Sequence, residues 1–346
     1  MRITKAAIAL IISFGYITGT CFAQPSKPST SPEEKKYESL FSSISAKVDK
    51  ERMRKGVFYL SDNPLPRRVL NYTLPGHKLS TLEEADAWIM KQLSDNGYKP
   101  FTDETKVRAF GRDFSKPLPR QYAPPPADAP WYTARNVMAE IPGSKFPDDL
   151  IIIIAHKDSQ SWIPSPGAND DAIGTCGALE LAILLRKYKP AHTIRFIFCN
   201  EEHSPWTSIT AAKAIKSAGS DVLALINVDG IGVKAPQPDG KLLNVTRYAS
   251  DEGEKLADMI TGLNERHSLG LVQSKLRSER PGDDDGSFIN AGFPWSVRNA
   301  GSIPNSHPGY HTEADTPDTV DYENAAVTVK LTLAAILRLD MFGRPR

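Results

Sequence analysis

The sequence predicts an α/β protein, a three-layer sandwich whose mostly parallel (mixed) central sheet carries helices on both faces. Short β-branched, apolar segments alternate along the chain with longer segments whose apolar residues recur at helical spacing. One apolar segment has four consecutive isoleucines at positions 151–154, which is typical of a strand buried on both faces of a sheet. Strands that are separated by helices pair in parallel, since the helix carries the chain back to the same edge.

Composition and charge exclude several other classes of protein. Of the 346 residues, 40% are hydrophobic and 24% are charged, so the chain can bury one large core or two modest ones. The formal net charge of +1 gives no basis for binding nucleic acid or an anionic membrane surface. The sequence also carries no signal for an oligomeric state.

The N-terminus has the pattern of an export signal. Arg2 and Lys5 precede an apolar run, and small residues follow it. We predict a secretory signal peptide over residues 1–23, and therefore a secreted or periplasmic protein. The apolar run is too short to span a bilayer, so no stable membrane insertion is expected. A lipoprotein anchored through Cys21 is the weaker alternative, because the residues before it match the usual lead-in poorly.

The next part of the chain predicts a lead-in and two helices. Residues 24–36 are rich in proline, serine and lysine, which favours a disordered lead-in. Apolar residues at helical spacing predict a helix over residues 37–54, and a second helix over 81–93 could be capped by Thr81. These helices are too few to form a core alone, so we assign residues 37–346 to a single domain.

The α/β pattern follows a proline-rich stretch at residues 115–132, which predicts an extended surface connection, with an interdomain linker as the alternative. Alternating or continuous apolar residues predict strands at 134–143, 150–155, 193–199, 222–228 and 295–297. Amphipathic spacing predicts helices at 171–187, 206–218, 252–267 and 322–339. Cys176 and Cys199 lie in apolar segments, which favours buried free thiols, although export would permit a disulfide.

Three of the predicted strands end in residues that can bind a metal. His156 and Asp158 follow the isoleucine run. Glu201 and Glu202 follow the next strand, and Asp229 follows the strand after that. Because the carboxyl ends of parallel strands meet at one edge of a sheet, we expect these side chains to form one site.

Two later segments add to this set. The loop after the isoleucine strand contributes Asp170 and Asp171, and His311 comes late in the chain. Carboxylates that converge on one pocket repel each other and cannot all ionise without cations. A pair of divalent metals would relieve this repulsion. Histidine and carboxylate ligands without cysteine are typical of catalytic rather than structural zinc.

These residues form five motifs in order: His156-x-Asp158-Ser159, Gly167-Ala168-Asn169-Asp170-Asp171, Glu201-Glu202, Asp229, and His311-Thr312-x-x-Asp315-Thr316. The set resembles the di-zinc aminopeptidases of peptidase clan MH, the secreted leucyl-aminopeptidase-like enzymes that are related to glutamate carboxypeptidases and glutaminyl cyclases. The resemblance runs from about residue 136 to the C-terminus. It implies a zinc-exopeptidase-like fold and a peptide substrate that is hydrolysed at its N-terminus.

The resemblance also implies two zinc ions (Zn²⁺) with five ligands, His156, Asp170, Glu202, Asp229 and His311. Asp170 resembles the carboxylate that bridges the two ions. His156 and Asp229 resemble the terminal ligands of one ion. Glu202 and His311 resemble the terminal ligands of the other.

Three further residues take supporting roles in this resemblance. Glu201 resembles the general base that takes a proton from the water bridging the two zinc ions. Asp158 would fix the ring and tautomer of His156, as metal-binding histidines require. Asp315 would do the same near His311.

The sequence departs from the family in two places. Residues 203–206 (His-Ser-Pro-Trp) replace a turn that is often glycine-rich, and Asp285 within residues 282–288 stands in the place of a histidine. Both changes lie where the walls of the substrate site are expected. We interpret the three consecutive aspartates in the second stretch as a solvated loop, with recognition of a cationic group as the alternative. Trp162 and Tyr310 are further candidates for lining the site.

The leading prediction is a secreted di-zinc aminopeptidase, a hydrolase acting on peptide bonds. A glutaminyl cyclase-like, single-zinc acyltransferase is the main alternative, and the retention of every di-metal position weighs against it. A glutamate carboxypeptidase is disfavoured because such proteins carry extra domains for which this chain has no room. A non-catalytic binding ectodomain with the same fold is the alternative from another class, and it predicts broken ligand positions, of which the sequence has none.

Overall fold

The computed structural model describes residues 31–233, 240–301 and 307–346. These residues form a mixed sheet with helices on both faces, which confirms the predicted fold class. The predicted signal peptide (1–23) lies outside the described residues. Among the helices of the described part, none has the length and apolar character needed to cross a membrane.

The described residues contain eight α-helices: α1 (Pro32–Ser45), α2 (Lys50–Ser61), α3 (Thr81–Asp95), α4 (Ile173–Leu185), α5 (Ser208–Ser217), α6 (Asp251–Arg266), α7 (Asp283–Asn290) and α8 (Tyr322–Phe342). Their strands are β1 (Phe101–Ala109), β2 (Gly111–Arg112), β3 (Tyr122–Ala123), β4 (Tyr132–Ile141), β5 (Phe146–His156), β6 (His192–Cys199), β7 (His203–Ser204), β8 (Asp221–Val228), β9 (Leu243–Tyr248), β10 (Val272–Arg277) and β11 (Ser296–Ala300).

Nine of these strands form one sheet in the order β10-β9-β11-β8-β5-β6-β4-β1-β7, while β2 and β3 pair separately. The central strands β11, β8, β5 and β6 run parallel to one another. Antiparallel partners flank them, with β9 on one side and β4 and β1 on the other. The parallel centre matters for function because it brings the carboxyl ends of β5, β6 and β8 to the same edge.

The isoleucine run lies in β5 and is buried on both faces, as predicted. All four side chains are 0% exposed. Ile151 and Ile153 belong to the core that contains α4 and α8, and Ile152 and Ile154 belong to the smaller core under α5 and α7. Burial of each such side chain is worth about 1.5–3 kcal/mol, so the strand that leads to His156 is held firmly from both sides.

The N-terminal helices differ from the prediction in their bounds. The helix predicted over residues 37–54 is two helices, because Asp49 caps α2 by accepting hydrogen bonds from the backbone N–H groups of Glu51 and Arg52. The prediction of a disordered lead-in is wrong for Pro32–Lys36, which form the first turn of α1. Ser31 caps that turn, and its two glutamates favour the positive end of the helix.

Other elements also differ from the prediction. Ser80, rather than the predicted Thr81, caps α3 through a capping box with Glu83. Strands β9 and β10 were missed because their residues are largely polar, and β10 is mostly exposed. Cys176 and Cys199 are buried free thiols, as expected.

Candidate metal and catalytic site

Three parallel strands deliver the first group of predicted site residues. His156 is the last residue of β5, and Glu202 follows the end of β6 at Cys199. Asp229 comes directly after β8. Because β5 pairs in parallel with both β6 and β8, the three strand ends lie side by side. The expected convergence of these side chains at one edge of the sheet is therefore present.

The loop between β5 and α4 delivers Asp170. Gly167 opens the loop with a φ of 62°, and a Cβ atom there would lie 2.6 Å from both the Asp170 carbonyl oxygen and Ser159 Cβ. Only glycine fits this combination of a left-handed backbone and close contact. The turn brings Asp170 Oδ1 to 3.0 Å from His156 Nε2.

His311 completes the set from the loop before α8. Its Nε2 atom lies 3.1 Å from Asp170 Oδ2 and 3.3 Å from Glu202 Oε1. All five predicted ligands thus lie in one cluster. Two groups in it, His156–Glu201–Asp229 and His156–Asp170–Glu202, have potential ligand atoms that all lie within 4.8 Å of one another.

The carboxylates draw both imidazoles toward the charged form. Burial by itself would lower the pKa of His156, but its hydrogen bonds with Asp158 and Asp170 outweigh burial and raise the pKa well above its ordinary value. Burial also opposes charge on His311, yet Glu202 and Asp170 raise the pKa of this residue to about 10. The same carboxylate field would attract a metal cation.

The acids in the cluster resist ionising together. Burial, with Asp283 and Asp284 nearby, raises the pKa of Glu201 well above its ordinary value. Burial also raises the pKa of Asp229, to about 6, although Arg298 acts in the opposite direction. A cluster of this kind requires additional positive charge before all its carboxylates can ionise.

The donor atoms fit a metal. Among the described residues, Glu201 Oε2 and Asp229 Oδ1 are buried and have no hydrogen-bond partner. Buried carboxylate oxygens without partners are costly unless a cation or a ligand satisfies them. The donors are imidazole nitrogens and carboxylate oxygens, the set that catalytic zinc sites use.

Asp158 is fully buried beneath the strand ends. Its carboxylate accepts hydrogen bonds from the backbone N–H groups of Glu201 and Glu202, both at 2.9 Å, and lies 2.7 Å from His203 Nδ1. His156 Nδ1 is 3.1 Å from the main-chain oxygen of Asp158 and 3.4 Å from its carboxylate. Asp158 therefore contacts the His156 ring, as predicted, and also fixes the chain that carries both glutamates.

Asp315 has a different role from the one predicted. It does not contact the His311 ring, and instead accepts hydrogen bonds from the backbone N–H groups of Asn169, at 2.8 Å, and Asp170, at 3.0 Å. The carboxylate of Asp315 also lies 3.1 Å from His307 Nε2. The predicted role fails because a carboxylate four residues from His311 turns back under the Asp170 loop.

The partner of His311 comes from the proline-rich stretch. His311 Nδ1 lies 3.0 Å from the main-chain oxygen of Pro119, so the Nδ1–H group can donate to that carbonyl. This contact leaves Nε2 facing Asp170 and Glu202, the orientation that metal binding requires. The prediction of a surface connection at 115–132 missed this role, because a main-chain carbonyl carries no side-chain signal.

Arg298 on β11 is a site residue that the sequence did not reveal. One of its guanidinium nitrogens lies 3.0 Å from Asp229 Oδ2, and another pairs with Asp283. Asp283 is also 2.6 Å from Arg247. Because Arg298 engages Oδ2, only Oδ1 of Asp229 is left for another ligand. An arginine just after the strand predicted at 295–297 was the one available signal.

A buried arginine supports the Asp170 loop from below. Arg68 is 0% exposed and donates to the main-chain oxygens of Lys157, Pro166 and Gly167 at 2.6, 2.8 and 2.8 Å. These bonds tie the end of β5 to the loop that carries Asp170. No pattern in the sequence indicates this role, because Arg68 lies in the irregular chain between α2 and α3.

The interpretation of the acidic triplet as a solvated loop is wrong. Asp283, Asp284 and Asp285 form the first turn of α7, and the last two are buried. Arg247 and Arg298 compensate the charge, and together they hold the pKa of Asp283 at about 2 although burial opposes this. Acids in the first turn also face the positive end of the helix.

A cavity of about 280 Å³ opens over the cluster. Its aromatic lining residues are Phe110, Tyr122, Trp162, Trp206 and Tyr310. Its charged lining, besides the predicted metal-binding residues, includes Arg280, Asp283 and Arg298. The cavity is therefore lined by both aromatic and charged side chains, and both candidate aromatic residues, Trp162 and Tyr310, are among them. A larger cavity of about 480 Å³ near α2 and α4 contains none of the predicted site residues.

The fold and the cluster together define the class of α/β proteins that carry a histidine–carboxylate metal site at the carboxyl edge of a mixed sheet. Residues 136–336 match the sequence model of Peptidase family M28. This match covers more than half of the chain, so the chain belongs to Peptidase family M28.

Curated relatives agree with this assignment. A probable zinc metalloprotease of Pyrenophora teres f. teres is 26% identical over 258 residues, which cover 60% of this chain and 52% of the relative. A probable leucine aminopeptidase of Arthroderma otae is 24% identical over 331 residues, which cover 91% of this chain and 79% of the relative. The chain spans about half the length of the first of these relatives.

Solved structures share the fold. An aminopeptidase from Aneurinibacillus sp. strain AM-1 superposes with a TM-score of 0.63 at 18% identity, covering 88% of this chain and 97% of that chain. A glutaminyl cyclase of Bacteroides thetaiotaomicron bound to N-acetylhistamine gives a TM-score of 0.63 at 17% identity, covering 84% and 97%. At these identities the likeness describes the fold alone.

Proposed function

We propose that this chain is an exported, di-zinc aminopeptidase that hydrolyses N-terminal residues from peptides. The observation that carries the proposal is the convergence of two histidines and four acids in one buried cluster beneath a cavity. Membership of a peptidase family and likeness to a probable zinc metalloprotease and a probable leucine aminopeptidase support it.

The two oxygens of Asp170 support its role as the bridging ligand. Oδ1 lies 3.0 Å from His156 Nε2, while Oδ2 lies 3.1 Å from His311 Nε2. A carboxylate that faces two histidines from opposite oxygens is suited to joining two metal positions. His156 and Asp229 would hold one ion, and Glu202 and His311 would hold the other.

Glu201 is suited to the role of general base. It lines the cavity, and its Oε2 atom has no hydrogen-bond partner among the residues of the described chain. When bound, the zinc pair would lower the pKa of water and polarise the scissile carbonyl. Glu201 would accept the proton of the attacking water and donate it to the leaving amine. The hydrogen bonds that the backbone N–H groups of Glu201 and Glu202 donate to the Asp158 carboxylate keep the base beside the ligands.

The glutaminyl cyclase alternative has less support. It calls for one zinc ion, whereas the cluster contains all five residues that would hold two ions, His156, Asp170, Glu202, Asp229 and His311. The likeness to a cyclase structure describes the fold and does not favour this reaction. Glu201 places a carboxylate oxygen without a hydrogen-bond partner in the cavity. A non-catalytic binding protein would have no need for such a group.

A metal and activity assay tests the proposal. We expect the purified protein to contain two zinc ions per chain and to release N-terminal residues from aminoacyl anilides, with activity lost on chelation and restored by zinc. Glu201→Gln should keep both ions and lower kcat by about 10²–10⁴-fold, the usual contribution of a general base. Glu265→Gln, an exposed position on α6, is the matched control and should change neither.

Three results would contradict the proposal. Hydrolysis that survives complete metal removal would exclude the mechanism. Ammonia release with a cyclised product from N-terminal glutaminyl peptides would favour the cyclase. Loss of zinc in Glu201→Gln would mean that Glu201 is a ligand and that the assignment is shifted by one residue.

Export is a separate part of the proposal and has its own test. Arg2, Lys5 and the apolar run after them support cleavage after Ala23. The protein recovered from outside the cytoplasm should begin at Gln24. Recovery of uncleaved chain from the cytoplasm alone would contradict export without affecting the proposed chemistry.

A further inference from the structure

The segment between β1 and β4 folds over one end of the cavity. Strands β2 and β3 pair antiparallel, with Gly111 opposite Ala123 and Arg112 opposite Tyr122. The segment is anchored at its start by the bond from Phe110 N–H to Ser161 Oγ at 2.9 Å. We call residues 110–123 the flap.

The flap supplies an aromatic surface together with the loop after β5. The ring of Phe110 is 5.9 Å from that of Trp162 in an edge-to-face arrangement, and the Tyr122 ring is 5.6 Å from it. These three side chains, the aromatic wall, line the catalytic cavity. Aromatic rings at such distances attract one another and offer faces and edges to a further ring.

The aromatic wall lies at one particular end of the metal cluster. The Trp162 and Tyr122 rings are 5.1 and 5.9 Å from the His311 ring. The flap is also joined to that ligand directly, because His311 Nδ1 contacts the Pro119 carbonyl oxygen at 3.0 Å. The wall is therefore fixed beside the position that His311 and Glu202 would bind.

The opposite end of the cluster offers a place for the amino group of a peptide. Glu201 Oε2 and Asp229 Oδ1 are buried carboxylate oxygens without a hydrogen-bond partner in the described chain. By contrast, Glu202 Oε1 already accepts a bond from Gln160 at 3.0 Å and lies 3.3 Å from His311. With zinc on Asp229 and Glu201 acting as the base, the negative charge of this end, to which Asp283 in the cavity lining adds, would attract the cationic amino terminus, and a peptide that starts there extends toward the aromatic wall.

We propose that the aromatic wall binds the side chain of the second residue of the substrate, the first residue of the leaving peptide, and selects a bulky apolar or aromatic side chain there. This inference rests on the proposed aminopeptidase function and deepens it. Tyr122 is 45% exposed and thus has ring surface free to cover a substrate side chain. Trp162 Nε1 is buried without a partner in the described chain, so it is available to a carbonyl of the leaving peptide.

The test compares dipeptides that share leucine as the first residue and carry phenylalanine or alanine as the second. In the wild-type protein, kcat/KM for Leu-Phe should exceed that for Leu-Ala by about tenfold, as expected for one added aromatic contact in a desolvated pocket. Tyr122→Ala should bring this ratio to within about threefold of one, and Tyr122→Leu should restore part of it. The zinc content should remain that of the wild type.

Phe114→Ala is the matched control. Phe114 belongs to the same flap, is 74% exposed and does not line the catalytic cavity. Its removal should leave the Leu-Phe to Leu-Ala ratio within about twofold of the wild-type value, as for most exposed substitutions. A ratio that falls equally in both variants would show that flap folding, rather than the wall, sets the preference, and would overturn the proposal.

Binding separates this inference from the proposed function. Calorimetry with the Glu201→Gln protein measures the affinities for Leu-Phe and Leu-Ala without turnover, with and without Tyr122→Ala. A binding preference that Tyr122→Ala abolishes would support the wall even if no hydrolysis were found. Hydrolysis with an unchanged preference would refute the wall alone. A change in preference for the first residue, tested with Leu-Ala and Ala-Ala, would assign the wall to the amino-terminal side chain and overturn the proposal.

Discussion

The site has two halves that are held in different ways. The strand half consists of His156, Glu202 and Asp229 at the ends of β5, β6 and β8. The loop half consists of Asp170 and His311. Backbone hydrogen bonds of the sheet and two hydrophobic cores fix the strand half. The loop half depends on single contacts with residues that are far away in the sequence.

Those distant contacts are few and specific. Asp315 bonds to the backbone of Asp170 across 145 positions, and the Pro119 carbonyl meets His311 across 192. A contact between residues that are distant in the sequence costs conformational entropy, because it closes a long loop. For the strand half, formation of the sheet already includes this entropy cost. Arg68 joins the halves, since its guanidinium bonds to the end of β5 and to the Asp170 loop. The two halves should therefore respond differently when a support is removed, the strand half in the free energy of unfolding and the loop half mainly in metal binding.

The largest expected effect comes from Asp158→Asn in the strand half. The buried carboxylate accepts bonds from two backbone N–H groups and contacts His203, and an amide can accept at only one of its two heavy atoms. Removing one partner of a buried charge pair costs on the order of 3–5 kcal/mol. Denaturant unfolding in the presence of chelator should show this loss in the free energy of unfolding.

The control for this experiment lies on the same strand. Asp148 is exposed near the start of β5, so Asp148→Asn should change the free energy of unfolding by no more than about 0.5 kcal/mol. If the two variants were equally stable, the strand half would not depend on Asp158. The sheet and the two hydrophobic cores would then fix the strand half without help from this buried carboxylate.

A smaller effect is expected from Arg298→Met, which removes the guanidinium from Asp229 Oδ2. The carboxylate would lose the contact that orients Oδ1. Loss of such a partner typically weakens metal binding by about 10–100-fold, which corresponds to about 1.4–2.8 kcal/mol. Competition with a chromophoric chelator would measure the zinc affinity.

The Arg280→Met variant distinguishes the loss of a direct contact with Asp229 from the loss of a positive charge in the cavity. Arg280 is exposed and lines the same cavity. It forms no ion pair with another residue of the described ranges. Its removal takes away a positive charge without touching Asp229. Equal changes in zinc affinity for the two variants would mean that the electrostatic potential of the cavity, and not the contact between Arg298 and Asp229, controls metal binding.

The sequence predicted the strand half far better than the contacts around the loop half. A histidine follows the buried isoleucine run, and acids follow the next two strands. Because parallel strands end at the same edge of the sheet, this pattern predicts that the side chains lie close together. The ligand roles of Asp170 and His311 came from the resemblance to a family. Their supports did not, because a proline carbonyl and a buried arginine make main-chain contacts that leave no pattern in the sequence.

The errors have a common physical cause. The aspartates at the start of α7 were interpreted as a solvated loop. In the structure, Arg247 on β9 and Arg298 on β11 compensate their charge and allow them to be buried. Likewise, the polar strand β9 was missed because it pairs with β10 and β11 rather than showing an apolar pattern of its own. Tertiary partners decided both cases, and local composition contains no information about them.

The smallest expected effect on stability concerns the loop half. Asp315→Asn leaves one acceptor for the two backbone N–H groups of Asn169 and Asp170, and the free energy of unfolding should fall by about 1–2 kcal/mol, less than for Asp158→Asn. Asp318→Asn, exposed in the same segment, is the control. Because Asp170 is the proposed bridge, zinc titration should show both ions binding more weakly in Asp315→Asn. Weaker binding of a single ion would mean that Asp170 serves one metal position, and that the loop half is less central than the strand half.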